Sequence, residues 1–183
     1  RDEEEQAAVL EVARGAWQEL EAAGVRCRLD DREGLSPGFK YNDWEMRGVP
    51  LRIEIGPRDV EKGQVVLARR DVPGKAGKAF VPREGLGVQA RDMLDAIQRD
   101  LFTRALRFRE ENTFDVATFE ELSAAVEKGF ARAYWCGAVE CEDRVKELKA
   151  STRCIPFDQP GAAGRCAVCG QEAAEVAIFA RAY

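Results

Sequence analysis

The chain opens on a helical period. Between Gln6 and Ala23 the apolar residues Leu10, Ala13, Trp17 and Leu20 share one helix face, and Gly24 follows where a left-handed C-terminal cap falls. The period then drops to two. Val25, Cys27 and Leu29 alternate with Arg26, Arg28 and Asp30, the pattern of a strand with one buried face. Ser36-Pro37 supplies an N-cap followed by proline at the first helical position, and Gly48 closes that short helix, in which Trp44 reads as the apolar anchor. From Pro50 to Gly56, Leu51, Ile53 and Ile55 point to one face while Arg52 and Glu54 point to the other. A short turn or helix over 57–63 leads to the more continuous apolar run of 64–71, expected to be a more fully buried strand. A further short strand is predicted around 78–81, and Met93, Leu94, Ile97, Leu101, Ala105 and Phe108 mark a long helix. Helices alternating with strands predict an α/β layer with at least part of its sheet parallel.

After residue 112 the pattern reads as a separate unit, so domains are expected over 1–112 and 113–183. Thr118 and Glu121 have capping-box spacing, and Phe119, Leu122 and Val126 give the following helix its apolar side before Gly129. Phe130, Arg132, Tyr134 and Cys136 alternate, 142–150 predicts a second helix, 158–164 a loop, and 175–183 a strand that runs to the terminal tyrosine. An aromatic terminus on a strand points to something that docks it.

The cysteines change the picture of this second unit. Cys136 and Cys141 form one close pair and Cys166 and Cys169 another, a spacing with which four thiolates close a tetrahedron around zinc. The chain has 0 histidines, so a metal here must be held mainly by sulfur, and a four-sulfur site leaves no open position for catalysis. Disulfides and a redox Cys-x-x-Cys are the competing readings. The polar N-terminal residues, without a signal-type apolar core, weigh against the first, and the lack of a strand-to-helix setting weighs against the second. Cys27 reads as a small buried residue. Cys154 is left out of the site because Ile155-Pro-Phe157 reads as a packed strand end.

Charge narrows the function classes. The net charge is -5 and 33% of residues are charged, which argues against indiscriminate nucleic-acid binding while leaving room for a local basic surface at Arg69, Arg70, Lys75 and Lys78. No apolar run approaches membrane-spanning length, and a soluble cytoplasmic protein is expected. The absence of histidine removes Ser-His and Cys-His nucleophilic mechanisms, and no phosphate-cradling glycine loop is present. The Arg52 and Glu54 pair has the chemistry to read guanine, since a carboxylate accepts from N1 and N2 and a guanidinium donates to O6 and N7. An ordinary solvated ion pair is the plainer reading of the same two residues.

The run from Trp44 to Asp71 closely resembles the anticodon-binding domain of prolyl-tRNA synthetase, a class IIa aminoacyl-tRNA synthetase. Further motifs are similar to the C-terminal domain of the archaeal and eukaryotic type: Gly129 to Gly137, Cys141-Glu142, Arg153-Cys-Ile-Pro-Phe157, Cys166 to Gly170 and Phe179 to Tyr183. The resemblance implies a mixed-sheet anticodon-binding domain followed by a small α+β zinc-binding domain. It implies that Glu45, Arg52 and Asp59 contact the two guanines shared by proline anticodons, with Phe39, Glu54, Arg58, Arg69, Arg70 and Lys75 as further stacking or phosphate contacts. It also implies that the Tyr183 carboxylate reaches toward a catalytic site. The class II signature motifs are missing from this sequence, so ATP and magnesium belong to a catalytic domain not contained in it. The implied partners are proline tRNA, that catalytic domain and, through it, a homodimer; a freestanding tRNA-binding module and a zinc-stabilised protein-interaction domain are the alternatives.

Overall fold

The structure, a computed structural model, describes residues 3–181. It divides into two compact units, Arg1–Thr103 and Arg104–Tyr183.

In the first unit, α1 (Glu3–Ala22) is followed by α2 (Pro37–Met46), β1 (Leu51–Glu54), α3 (Pro57–Glu61), β2 (Gln64–Arg69), a 3₁₀ turn (Gly74–Gly77) and β3 (Lys78–Pro82), and α4 (Leu86–Glu111) begins. The strands form one sheet in the order β1-β2-β3, antiparallel throughout. Its two faces have different work. Val65 and Leu67 of β2 pack with Ala16 and Leu20 of α1 and with Leu86 and Ala90 of α4, and Leu51, Ile53 and Val81 close the edges of that core. The opposite face carries Arg52 and Glu54, which meet Tyr41 and Glu45 of α2. Ser36 caps α2 by accepting the Phe39 N–H, as its sequence predicts.

Three expectations are corrected here. Val25 to Leu29 joins no ladder: the alternation records one-sided burial, which an irregular segment achieves by laying Val25 and Cys27 on the core, with the Cys27 thiol directed at the Trp17 carbonyl. The expected parallel pairing is absent from this sheet and is found in the second unit, where a crossover of sufficient length exists. Trp44 is no core anchor either. It is half-buried, its Nε1–H donates to Asp30 Oδ2 at 2.8 Å, and the guanidiniums of Arg28, Arg32 and Arg47 lie 5.1 to 5.7 Å from its ring centre. The Arg32 guanidinium, working against burial and joined by Trp44, holds the Asp30 carboxyl well below the usual carboxylate range.

The second unit holds β4 (Thr113–Asp115), α5 (Phe119–Val126), β5 (Phe130–Trp135), α6 (Val139–Glu147), β6 (Ala150–Cys154), β7 (Gly164–Arg165), β8 (Glu172–Ala173) and β9 (Glu175–Arg181). The main sheet is mixed, in the order β4-β5-β9-β6, with β4 parallel to β5 and the other pairs antiparallel. Both halves of the Thr118/Glu121 capping box form. Alanines make the core close: Ala131 and Ala133 of β5 lie opposite Phe179 and Ala177 of β9, so the wholly buried Phe179 fills the space that the small residues leave and meets Trp135 edge-on.

The second helix is displaced from the expected 142–150. It starts at Val139, with Glu140 and Glu142 in its first turn and Arg144 and Lys146 in its last, charges that match the helix dipole, and it ends before Lys149, whose φ of 57° is left-handed. The displacement brings Cys141 onto the helix and makes Ala150 the start of a strand. Ile155 and Phe157 are exposed rather than packed, because β6 ends at Cys154 and Gln159 holds the following loop by hydrogen bonds to the backbone of Pro156 and Val176.

Candidate functional site

The charged face of the first sheet opens into a cleft of about 390 Å³ lined by Glu45, Arg52, Arg69, Arg70, Lys75 and Lys78, with Ala68, Pro73, Gly74 and Gly77 as its floor and loop wall. Three elements assemble it. β1 places Arg52 and Glu54 on the same face; α2 brings Glu45 above them; the turn after β2 folds back to complete the rim. Gly77 permits that return, since a Cβ there would lie 2.1 Å from the Val72 carbonyl oxygen.

At the centre is a chain of alternating charges. Arg52 Nη1 donates to Glu45 Oε1 at 2.6 Å and Arg52 Nε to Glu54 Oε1 at 3.0 Å, while Lys78 Nζ meets Glu54 Oε2 at 2.7 Å. Burial pulls the Arg52 pKa down, but the hydrogen bonds to Glu45 and Glu54 outweigh it and hold the guanidinium above its ordinary value. The guanidinium also lies 4.1 Å from the centre of the Tyr41 ring. Burial, then the Glu54 charge, raise the Tyr41 phenol. The arrangement presents a positioned carboxylate and a positioned guanidinium in one open cleft, two groups that recognise an unpaired base, with the Tyr41 ring backing the guanidinium.

The other sequence candidates divide. Arg70 is exposed on the cleft wall, 3.5 Å from the Glu45 carbonyl oxygen, and Lys75 is exposed in the turn. Arg69 is committed elsewhere: its guanidinium is held by Asp71 and Asp100 at 2.7 and 2.6 Å, which raises its pKa and ties the end of β2 to α4. Asp59 accepts from the Gly56 N–H and the Gln64 amide, both at 3.0 Å, so its carboxylate organises the start of α3. Phe39 and Arg58 are exposed on α2 and α3 and do not line the cleft. Tyr41 is the residue that sequence reasoning missed at this site, and Lys78, expected only as part of the basic patch, also holds Glu54. Tyr41 stands one helical turn before Glu45, a spacing that could have marked it; Lys78 reaches Glu54 only through strand pairing across the small Ala68.

In the second unit, Cys136, Cys141, Cys166 and Cys169 come together, with all four sulfurs within 4.8 Å of one another. The Cys136 sulfur lies 3.5 Å from that of Cys141 and 3.8 Å from that of Cys169, and the cysteines are unbonded. A tetrahedral site with metal–sulfur bonds of about 2.3 Å has sulfur–sulfur edges of about 3.8 Å. The cluster therefore fits a metal ion and does not fit disulfides. Burial pushes the Cys166 thiol up, but the backbone N–H groups of Cys169 and Val168 pointing at its sulfur outweigh it and bring the pKa down to about 7. Burial, then the Cys169 and Cys136 sulfurs, push Cys141 far up. Arg144 of α6 donates to the Val168 carbonyl at 2.9 Å and stacks on Phe119, fastening the knuckle to both helices. Cys154 is exposed and outside the cluster. Tyr183 lies outside the described residues.

A charged cleft on one unit and a four-cysteine cluster that fits a metal ion on the other define a two-unit α/β protein with a candidate metal site. The comparisons with known proteins are specific. A family model described as "Anticodon binding domain" matches residues 3–80, and one described as "Prolyl-tRNA synthetase, C-terminal" matches residues 119–183. The proline–tRNA ligase of Roseiflexus castenholzii is 51% identical over 100% of this chain and 38% of its own length. The chloroplastic/mitochondrial proline–tRNA ligase of Arabidopsis thaliana is 46% identical over 98% of this chain and 34% of its own length. The crystal structure of a Cryptosporidium parvum prolyl-tRNA synthetase, complexed with L-proline and AMP, superimposes with a TM-score of 0.84 at 32% identity, covering 96% of this chain and 38% of that one. The chain belongs to the prolyl-tRNA synthetase family and matches its C-terminal portion. It spans about 38% of the length of the first of these relatives. Among the described residues no helix is long and apolar enough to cross a membrane.

Proposed function

We propose that the cleft of the first unit selects proline tRNA by its anticodon, for attachment of proline by a catalytic domain this chain does not contain. The observation that carries the reading is the pairing of Glu45 with Arg52 at 2.6 Å in an open cleft. Each satisfies the other in the free protein, and each is the complement of one edge of guanine, so a guanine entering between them exchanges one internal ion pair for contacts to N1 and N2 on one side and O6 and N7 on the other. Glu45 and Arg52 are assigned as base readers, together with Asp59 at the start of α3. Glu54 with Lys78 orients Arg52; Arg70 and Lys75 on the rim supply phosphate contacts; Arg58, Arg69 and the exposed ring of Phe39 are secondary contacts. We assign the functional boundary between residues 112 and 113, nine residues after the division of the compact units, a reading supported by the end of α4 at Glu111 and the start of β4 at Thr113.

In the second unit the four cysteines are assigned to structural zinc, which supplies folding free energy when bound and takes no part in chemistry. The site would hold β9 in place, and the role assigned to the terminal Tyr183 carboxylate is to serve the catalytic domain. The parent protein is then a cytoplasmic homodimeric proline–tRNA ligase, forming an adenylate from proline and ATP with magnesium and passing proline to the tRNA end. The present chain alone is expected to show no proline-dependent exchange between ATP and pyrophosphate; exchange above background would contradict the assignment. Affinity for proline tRNA against a transcript with both anticodon guanines replaced tests the reading itself, and equal affinity would sink it.

A further inference from the structure

We propose that Phe80 is a stacking platform for the unpaired nucleotide that flanks the two guanines, a subsite next to the reading cleft. This rests on the anticodon reading of that cleft and adds a base contact to it.

Strand register places the ring. Arg52, Ala68 and Lys78 are opposite one another across β1, β2 and β3, and Glu54, Val66 and Phe80 form the next row on the same face. The Lys78–Glu54 contact at 2.7 Å, which crosses between these two rows, confirms that both project to the charged side. Same-face rows of a strand are about 7 Å apart, a step that one nucleotide of an unstacked strand covers. Phe80 is 67% exposed, although it sits on an edge strand where lysine, proline or a short polar residue is the usual protection against pairing with other chains. Val66, opposite it, is 5% exposed, so the open apolar surface of this row is the Phe80 ring itself, with Pro82 beyond it along the strand. Lys78, two residues before Phe80, lines the cleft, and Glu54 stands between Arg52 and Lys78 in the charge chain. A single flat aromatic ring with charged groups on its cleft side offers little to a protein partner, which needs a wide contiguous apolar area. It suits a base, whose π face needs one ring and whose phosphate needs the nearby cations Lys78, Lys75 and Arg70.

The test uses the 183-residue chain, proline tRNA transcripts, and transcripts carrying an abasic nucleotide on either the 5′ or the 3′ side of the guanine pair. Phe80→Ala is expected to weaken binding about tenfold, the loss of one base–aromatic stack. One of the two abasic transcripts should weaken the wild-type chain to a similar degree and cost the Phe80→Ala chain nothing further, while Phe80→Trp should restore affinity and Phe80→Leu should not. Unchanged affinity of Phe80→Ala would overturn the proposal, as would full additivity of the variant with both abasic transcripts. Recovery by Phe80→Leu would also overturn it, pointing to an apolar protein contact instead. Thermal unfolding of each variant separates these outcomes from misfolding. If the wild-type chain still distinguishes the guanine-replaced transcript, the anticodon reading stands whatever happens at Phe80.

Discussion

Arg52 and Asp59 are both polar side chains in the same short motif, yet the structure gives them different work. Arg52 is held by two carboxylates and an aromatic ring at the edge of an open cleft, so its groups can be redirected to a base. Arg52→Ala or Glu45→Ala is expected to lose about 1 to 3 kcal/mol of discrimination between proline tRNA and a guanine-replaced transcript, with the salt dependence of binding unchanged, as measured by titration at several salt concentrations. Asp59 already spends both oxygens on Gly56 and Gln64. Asp59→Ala should therefore lower stability in denaturant unfolding by about 1 kcal/mol, the usual cost of a lost helix cap, in addition to any effect on RNA. Gly77→Ala forces a Cβ onto the Val72 carbonyl, and should destabilise the chain by about 1 to 3 kcal/mol and weaken tRNA binding by shifting the cleft wall.

Elements were legible where periodicity and capping agreed. Ser36-Pro37, the alternation through Leu51 to Glu54, the apolar run of β2 and the Thr118/Glu121 box all mark elements that form where expected. Reading failed where the same pattern serves two structures. Alternation at Val25 to Leu29 reports a buried side and not a ladder, and helix α6 was misplaced because a short helix is bounded by its dipole charges and the left-handed Lys149 more than by apolar spacing. The four cysteines were legible as a cluster from spacing alone, whereas Lys78 and Phe80 acquire their places only from strand register. In the second unit the pairing of β5 with β9 carries the core: Phe179→Ala, against small partners that cannot fill the space, should cost about 3 to 5 kcal/mol in denaturant unfolding. Thr118→Ala should cost about 1 kcal/mol by removing one half of the capping box.

Among the described residues the chain has two cores with different supports. The core of the first unit is built from helices and sheet, whereas Cys141 and Cys166 are themselves part of the second unit's buried cluster, so metal and folding are linked there. Chelation or Cys169→Ala is expected to expose the backbone amides of β5 and β9 to hydrogen exchange while β2 stays protected; retention of protection in both units without metal would remove the structural role assigned to the cysteines. The central claim belongs to the first unit. Its most direct test is the ratio of dissociation constants of the wild-type chain for proline tRNA and for the same transcript with both anticodon guanines replaced, at one fixed salt concentration. A preference of at least about tenfold for the natural anticodon is predicted, from base contacts worth about 1 to 3 kcal/mol each; equal dissociation constants would contradict it.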